Sequence, residues 1–100
     1  MIKHIVLWKF HETAAGKSKA ENMVEAKNRL LAMEGKIPGL LSIECGENIT
    51  QNEIYWDLAL YCTFDSEHSL RIYETHAAHE EVKRYLATVR DQRVACDYVM

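Results

Sequence analysis

Two stretches of the chain alternate strictly between apolar and polar positions. This period of two predicts β-strands from Met1 to Phe10 and from Trp56 to Phe64. In the first strand, one face is predicted to carry Ile2, His4, Val6, Trp8 and Phe10, and the other Lys3, Ile5, Leu7 and Lys9. In the later strand, Trp56, Leu58, Leu60, Cys62 and Phe64 share one face.

Between these two strands, apolar residues recur at the spacing of a helix. Ser18 followed by Glu21 matches a capping box and predicts that a helix begins there, while Gly35 and Pro38 end it. A second predicted strand then runs from about Leu40 to Gly46. The residues expected to form the buried stripe of this helix are Ala20, Met23, Val24, Lys27, Leu30 and Leu31.

The second half of the chain repeats the order of helix and strand. Asp65 or Ser66 is expected to cap a helix that bends or restarts around His76 and continues to about Arg90. A last strand is predicted from about Arg93 to Val99. The resulting order, β-α-β-β-α-β, predicts a single α+β domain over residues 1–100 with a ferredoxin-like arrangement: a four-stranded antiparallel sheet with its helices on one face.

The face of this sheet away from the helices is also apolar. Ile5, Leu7, Ala59 and Tyr61 should lie on it, and Val94, Cys96 and Tyr98 would extend it if the last strand has matching parity. A monomer rarely exposes an apolar patch of that size. We therefore predict a homodimer that forms through the open sheet face.

Charge and composition narrow the function. The 100 residues contain 12 Lys and Arg against 15 Asp and Glu, a formal charge of −3, so a general nucleic-acid-binding surface is not expected. The longest charge-free run near the N-terminus is Ile5 to Trp8, which is too short for a signal-peptide core or a membrane span. The expected location is the cytoplasm, with neither nucleic acid nor membrane as a partner.

Histidines are the main candidates for chemistry. His79 and Tyr73 lie on the same helical segment, and together with Asp97 they could supply a general base, a hydrogen-bond donor and an orienting carboxylate. His4 is expected on the helix-covered face of the first strand. A purely structural role, in which these side chains tie a helix to the sheet, is the alternative, and for His4 alone it is the favoured interpretation.

No cofactor or metal is expected. Convergence of His4, His76 and His79 on a metal ion is a weaker alternative, because their spacing matches no known ligand motif. Haem or flavin chemistry would rest on analogy with other dimeric α/β barrels alone.

Five segments in order along the chain resemble one family. They are the stretches Ile2 to Phe10, Ile37 to Leu40, Asp57 to Ser66, Tyr73 to His79 and Cys96 to Tyr98. Together they identify the chain as similar to the stress-responsive α/β-barrel (Dabb) family. Ala77 stands where that family usually has proline, which weakens the predicted helix break at His76.

The resemblance implies a ferredoxin-like protomer that pairs into a dimeric α/β barrel. It assigns no reaction by itself, and the first hypothesis is a protein that binds a small organic ligand in a His- and Tyr-lined pocket between sheet and helices. The pocket residues expected besides the histidine–tyrosine set are Val6, Trp8, Leu60 and His76. The indole of Trp8 should fill much of that space, so the pocket is expected to be small or absent.

The alternative hypothesis is an enzyme of the polyketide-cyclase or lyase type. Plant cyclases of this family imply His79 as the general base in an aldol-type ring closure and Tyr73 as the phenol that contacts the substrate. They also imply His4 as a positioning imidazole and Asp97 as the carboxylate that holds His79. The sequence names no substrate.

Overall fold

The computed structural model describes all residues of the chain, 1–100. Six strands and three helices follow one another in the order β1, β2, β3, α1, β4, β5, α2, α3, β6. Their bounds are β1 Ile2–Phe10, β2 Thr13–Ala14, β3 Lys17–Ser18, α1 Lys19–Leu31, β4 Leu40–Glu47, β5 Leu58–Phe64, α2 Glu67–Thr75, α3 Ala77–Val89 and β6 Arg90–Val99. The four long strands match the four predicted ones, and β5 starts two residues later than expected.

The long strands form one antiparallel sheet in the order β4-β5-β1-β6. This is the predicted ferredoxin-like α+β fold. Burial alternates residue by residue along β1, because one face packs against the helices and the other does not. The core joins Val6, Trp8 and Phe64 of the sheet with Leu30 of α1 and Leu86 of α3.

The register of β6 decides the character of the open face. Residues that face each other across β1 and β6 are Lys3 and Tyr98, Ile5 and Cys96, and Leu7 and Val94. The open face therefore has the predicted apolar composition. Val94 remains 45% exposed and Tyr98 40% exposed in the single chain.

Helix α1 begins as predicted but buries a different stripe. The Ser18 hydroxyl accepts from the amide of Glu21, and the Glu21 carboxylate accepts in return from the amide of Ser18, a complete capping box. The predicted stripe is wrong at several positions, since Val24 is 53% exposed. The buried residues of the helix are Asn22, Ala26 and Leu30.

A short hairpin that was not predicted explains why α1 turns a different side towards the core. Strands β2 and β3 meet at a two-residue turn in which Ala15 and Gly16 both have positive φ, as a tight hairpin turn requires. The side-chain amide of Asn22 donates to the carbonyl oxygen of Ala14 at 3.0 Å. A buried amide is tolerated only when it is hydrogen-bonded, so the hairpin allows a polar residue on the packed side of α1.

The helix break at His76 is present despite Ala77. His76 has an extended backbone, with φ −66° and ψ 138°, and it ends α2 and begins α3. Its Nδ1 accepts a hydrogen bond from the amide of Ala78 at 3.1 Å, so the imidazole caps α3. The cap supplies the stop that a proline would otherwise supply.

The turn before β4 depends on a glycine. Gly39 has φ +81°, and a Cβ placed there would lie 2.1 Å from Oγ of Ser69. Ser69 is held by the Asp65 carboxylate at the start of α2, which lets the turn and the helix approach closely. Elsewhere in the fold, the longest helices have 13 residues, and none is long and apolar enough to cross a membrane.

Candidate functional site

A cavity of about 490 Å³ lies between the sheet and the helices. It is positioned over the β1–β6 half of the sheet, with α2 and α3 supplying the opposite wall. Its volume falls in the range of pockets that hold small organic molecules. The lining residues are His4, Val6, Trp8, Leu30, Leu60, Tyr73, Glu74, His79, Lys83, Leu86, Arg90, Arg93, Ala95 and Asp97.

Three of the four predicted pocket residues line this cavity: Val6, Trp8 and Leu60. His76 does not line it, because its imidazole caps α3 instead. A pocket is present although the indole of Trp8 was expected to fill much of it, and its volume lies in the lower half of the range for ligand pockets. Trp8 faces Arg93 across the β1–β6 ladder, so the indole forms one end of a cavity that continues along the strands past Ala95 to Asp97.

The register of the sheet joins His4 to Asp97. The two residues face each other on β1 and β6, and Nδ1 of His4 lies 2.5 Å from Oδ1 of Asp97. His4 is 6% exposed, so the carboxylate satisfies a ring nitrogen that would otherwise be buried without a partner. Nε2 of His4 has no hydrogen-bond partner in the protein.

This pairing corrects the expected role of Asp97. The carboxylate was expected to hold His79, but it contacts His4. His79 lies on α3, across the cavity from β6, and its Nδ1 is buried without a hydrogen-bond partner. All four predicted chemical residues, His4, Tyr73, His79 and Asp97, nevertheless line the same cavity.

Tyr73 and His79 form a stacked pair. Their ring centroids are 3.9 Å apart with an angle of 25° between the planes, and Tyr73 meets His4 edge-on with centroids 5.5 Å apart. The break at His76 permits the stacking, since it redirects the chain between the two residues. Three aromatic side chains thus form one contiguous surface in the cavity.

Burial shifts the pKa values of His79 and Tyr73. It lowers the pKa of His79 from 6.5 to about 4, because a charged imidazole would lose its hydration. Burial likewise raises the pKa of Tyr73 above its ordinary value. Near neutral pH, His79 is therefore an uncharged hydrogen-bonding group and Tyr73 is an intact phenol.

Two polar atoms in the cavity wall have no partner. They are Nδ1 of His79 and the indole nitrogen of Trp8, both of which are buried. Unpartnered buried polar atoms are uncommon in folded proteins and frequently mark a place where water or a ligand binds. Both atoms belong to residues that line the cavity, although neither atom is itself exposed on its surface.

The sequence analysis missed the basic residues of the cavity. Lys83, Arg90 and Arg93 line it together with the acidic Glu74. The signal for Arg93 was present in the sequence: it has the same parity as Asp97, four residues later, so both side chains lie on the same face of β6. Nowhere in the chain do three His, Cys, Asp or Glu side chains come together in a way that could hold a metal ion, and the three-histidine arrangement does not form.

Comparison with known families decides the classification. The model of the Dabb family, described as the stress responsive A/B barrel domain, matches residues 2–100. The chain belongs to the Dabb family. The resemblance inferred from the five sequence segments is thereby confirmed.

Two bacterial proteins are similar to this Dabb protein at more than 30% identity. An uncharacterised protein of Streptomyces coelicolor is 33% identical over 81 residues, which cover 80% of each chain. A solved structure from Bacteroides fragilis, described as a dimeric protein of unknown function with a ferredoxin-like fold, is 32% identical with a TM-score of 0.87. That alignment covers 99% of this chain and 95% of the other.

A hydroxynitrile lyase from Passiflora edulis has the same fold. Its TM-score is 0.82, and the alignment covers 99% of this chain and 92% of the lyase, at 13% identity. At that level of identity the likeness concerns the fold alone, because one fold supports many functions.

Proposed function

We propose that this Dabb protein is a homodimer that binds a small organic ligand in the cavity between its sheet and helices. The observation that carries the proposal is the cavity of about 490 Å³ with the stacked rings of Tyr73 and His79 in its wall. The apolar walls supplied by Val6, Leu60 and Leu86 support it, since small-molecule pockets are lined mainly by apolar and aromatic side chains.

The homodimer is proposed to form through the open sheet face. Ile5 and Leu7 on β1 lie beside Cys96 and Val94 on β6, so apolar side chains form a continuous surface that no helix covers. A second copy would bury that surface sheet against sheet. The relative from Bacteroides fragilis is described as dimeric, which is consistent with this arrangement.

The two tryptophans of the chain provide a test of ligand binding. Trp8 lines the cavity, whereas Trp56 lies outside it near a separate surface depression. In a titration with 2-naphthol followed by NMR, the indole N–H signal of Trp8 is expected to shift while that of Trp56 stays in place. A Trp56→Phe variant assigns the two signals.

A variant that fills the cavity makes the test specific. Ala95 lines the cavity on an exposed strand, so Ala95→Phe should occupy the binding space and abolish the Trp8 shift. Ala87→Phe, at an exposed position of α3 outside the cavity, is the matched control and should leave binding unchanged. A shift that persists in Ala95→Phe, or that affects only Trp56, would contradict the proposal.

The second candidate function is an enzyme of the polyketide-cyclase or lyase type with His79 as general base. One observation favours proton-transfer chemistry: an imidazole paired with a carboxylate lies in the same cavity as a phenol. The Asp97 carboxylate contacts Nδ1 of His4 and not His79, which makes His4 the alternative base. The low pKa of His79 makes it a weak base near neutral pH.

Cleavage of mandelonitrile tests this candidate. A base removes the hydroxyl proton, and the bond between the carbinol carbon and the nitrile breaks to give benzaldehyde and cyanide. The protonated base then returns its proton to cyanide, which leaves as hydrogen cyanide. Replacing His4 with Gln should abolish the rate if His4 is the base, and replacing His79 should abolish it if His79 is. A wild-type rate no higher than that of a His4→Gln, His79→Gln double variant would contradict the lyase form of this hypothesis.

A further inference from the structure

The charged side chains of the cavity are unequally paired. Both acidic residues have partners: Asp97 contacts His4, and the Glu74 carboxylate accepts from Arg71 at 2.6 Å. Each carboxylate therefore already has a hydrogen-bonding partner within the protein. Neither carboxylate needs a cationic ligand.

The basic side chains differ from the acidic ones in this respect. Lys83, which lines the cavity, forms an ion pair at 3.3 Å with Glu80, which does not. The guanidinium groups of Arg90 and Arg93 form no ion pair within 4.0 Å and no hydrogen bond with another side chain or with the backbone. The chain as a whole carries a formal charge of −3, so this positive charge is a local feature of the cavity.

The register of β6 places Arg90 and Arg93 towards one end of the cavity. Arg93 faces Trp8 across the β1–β6 ladder, and Arg90 faces Phe10 at the start of β6. Arg93 is also close enough to Tyr73 for its charge to oppose the rise of the phenol's pKa. The opposite end holds the paired carboxylate of Asp97, which would repel a second negative charge.

Between these ends the walls are apolar or aromatic. Val6 and Leu60 come from the sheet and Leu86 from α3, while Tyr73 presents a stacked ring. Such walls favour a hydrophobic or aromatic body. A guanidinium group binds a planar carboxylate with two parallel N–H donors, which makes arginine the preferred residue for that anion.

We propose that the ligand is a small monoanionic organic acid whose carboxylate is bound by Arg93 and Arg90 and whose apolar body lies against Val6, Leu60 and Leu86. The assignment rests on the proposed ligand-binding function and adds the chemical class of the ligand. In this assignment Arg93 and Arg90 bind the ligand, and the ligand carries no more than one negative charge.

A matched pair of probes tests the charge. 2-Naphthoate and 2-naphthamide have nearly the same shape, and only the first carries a negative charge. We expect 2-naphthoate to bind the dimeric wild-type protein about tenfold more tightly, as measured by the shift of the Trp8 indole signal. The preference should shrink at high salt, because Arg93 is exposed and salt screens an ion pair between exposed charges.

Variants of the basic residues show which side chains cause the preference for 2-naphthoate over 2-naphthamide. Arg93→Gln should remove the tenfold difference by weakening 2-naphthoate and leaving 2-naphthamide unchanged. Lys83→Gln is the matched control, because Lys83 is already paired and its loss should preserve most of the preference. Size-exclusion chromatography of each variant checks that the dimer is intact.

The outcomes separate this assignment from the function on which it depends. Equal affinity for the two probes, with both lost in Ala95→Phe, would overturn the carboxylate assignment and leave the ligand cavity standing. A preference that survives in an Arg90→Gln, Arg93→Gln double variant would also overturn it. Binding of neither probe at millimolar concentration would contradict the ligand-binding function itself and, with it, this assignment.

Discussion

The two faces of the sheet are built from the same strands but do different things. The covered face of β1 presents His4, Val6 and Trp8 to the helices, and all three are buried. The open face of the same strand presents Ile5 and Leu7, which are only half-buried in a single chain. Removal of water strengthens hydrogen bonds and shifts pKa values, so the covered face can support chemistry, whereas the open face can support a partner.

The two faces also differ in how their polar side chains are paired. On the covered face, His4 must be paired with Asp97 because water cannot reach it freely. On the open face, the Lys3 ammonium donates to the hydroxyl of Thr63 on the neighbouring strand at 3.0 Å and lies 5.4 Å from the centre of the Tyr61 ring. Each face can therefore be changed by its own substitutions.

The largest expected effect is on the covered face. Phe64 is fully buried and its ring centroid lies 5.0 Å from that of Tyr73. Phe64→Ala should lower the free energy of unfolding by about 3–5 kcal/mol, because it leaves a cavity behind Tyr73. Urea unfolding measures the change, and the exposed Tyr55→Ala serves as control with an expected change below about 0.5 kcal/mol. Similar losses in both variants would contradict the assigned core.

A charge on the open face should act on assembly instead. Leu7→Glu would place an unpaired carboxylate in the proposed interface and should raise the dimer dissociation constant by at least about 100-fold. Analytical ultracentrifugation measures this change. Val24→Glu, on the exposed side of α1, should leave the dimer unchanged. If Leu7→Glu sediments like the wild type, the open face is not the interface.

Removal of the charge at Asp97 should have a smaller effect on stability. Asp97→Asn weakens the hydrogen bond to the buried His4 and should cost about 1–3 kcal/mol in urea unfolding. Asp91→Asn is a matched control on the same strand, since Asp91 is exposed and forms no ion pair. Equal stability of the two variants would show that the pairing of His4 contributes nothing.

The smallest expected effect is a pH dependence from His79. Burial lowers the pKa of His79 in the folded protein to about 4, against 6.5 for the ordinary imidazole, so the unfolded chain binds the proton more readily. Its contribution to stability is complete above pH 6.5 and is lost progressively as the pH falls towards 4. His79→Gln should flatten this part of the curve by less than about 1.4 kcal/mol per pH unit, because the side chain retains some contact with solvent.

The comparison for this pH effect is a histidine at the surface. His11 is exposed, and His11→Gln should leave the dependence of the urea midpoint on pH as it is in the wild type. If both variants have the wild-type curve between pH 6.5 and 4.5, the burial of His79 has no energetic consequence.

The predictable parts of the fold are those that depend on local periodicity. Alternation along β1 placed His4 on the covered face, and the order of elements gave the ferredoxin-like sheet. The capping box at Ser18 was also predicted, since it involves residues only three apart. The hairpin of β2 and β3 was missed because its strands have only two residues each, which is too short for a pattern.

The candidate site was predictable in membership but not in pairing. The sequence identified His4, Tyr73, His79 and Asp97, and the structure brings them to one cavity. Which histidine receives the carboxylate depends on the register of β6 against β1, and a shift of two residues would give Asp97 a different partner. Likewise, His76 does not line the cavity as predicted, because its ring caps α3.

The sequence by itself determined the strands, the helices and the two contrasting faces of the sheet, because these follow from the spacing of neighbouring residues. Only the tertiary structure decided that Asp97 contacts His4, that Tyr73 stacks on His79, and that Arg93 is left without a partner. Those relations depend on strand register and on the change of chain direction at the helix break, which local sequence spacing does not determine.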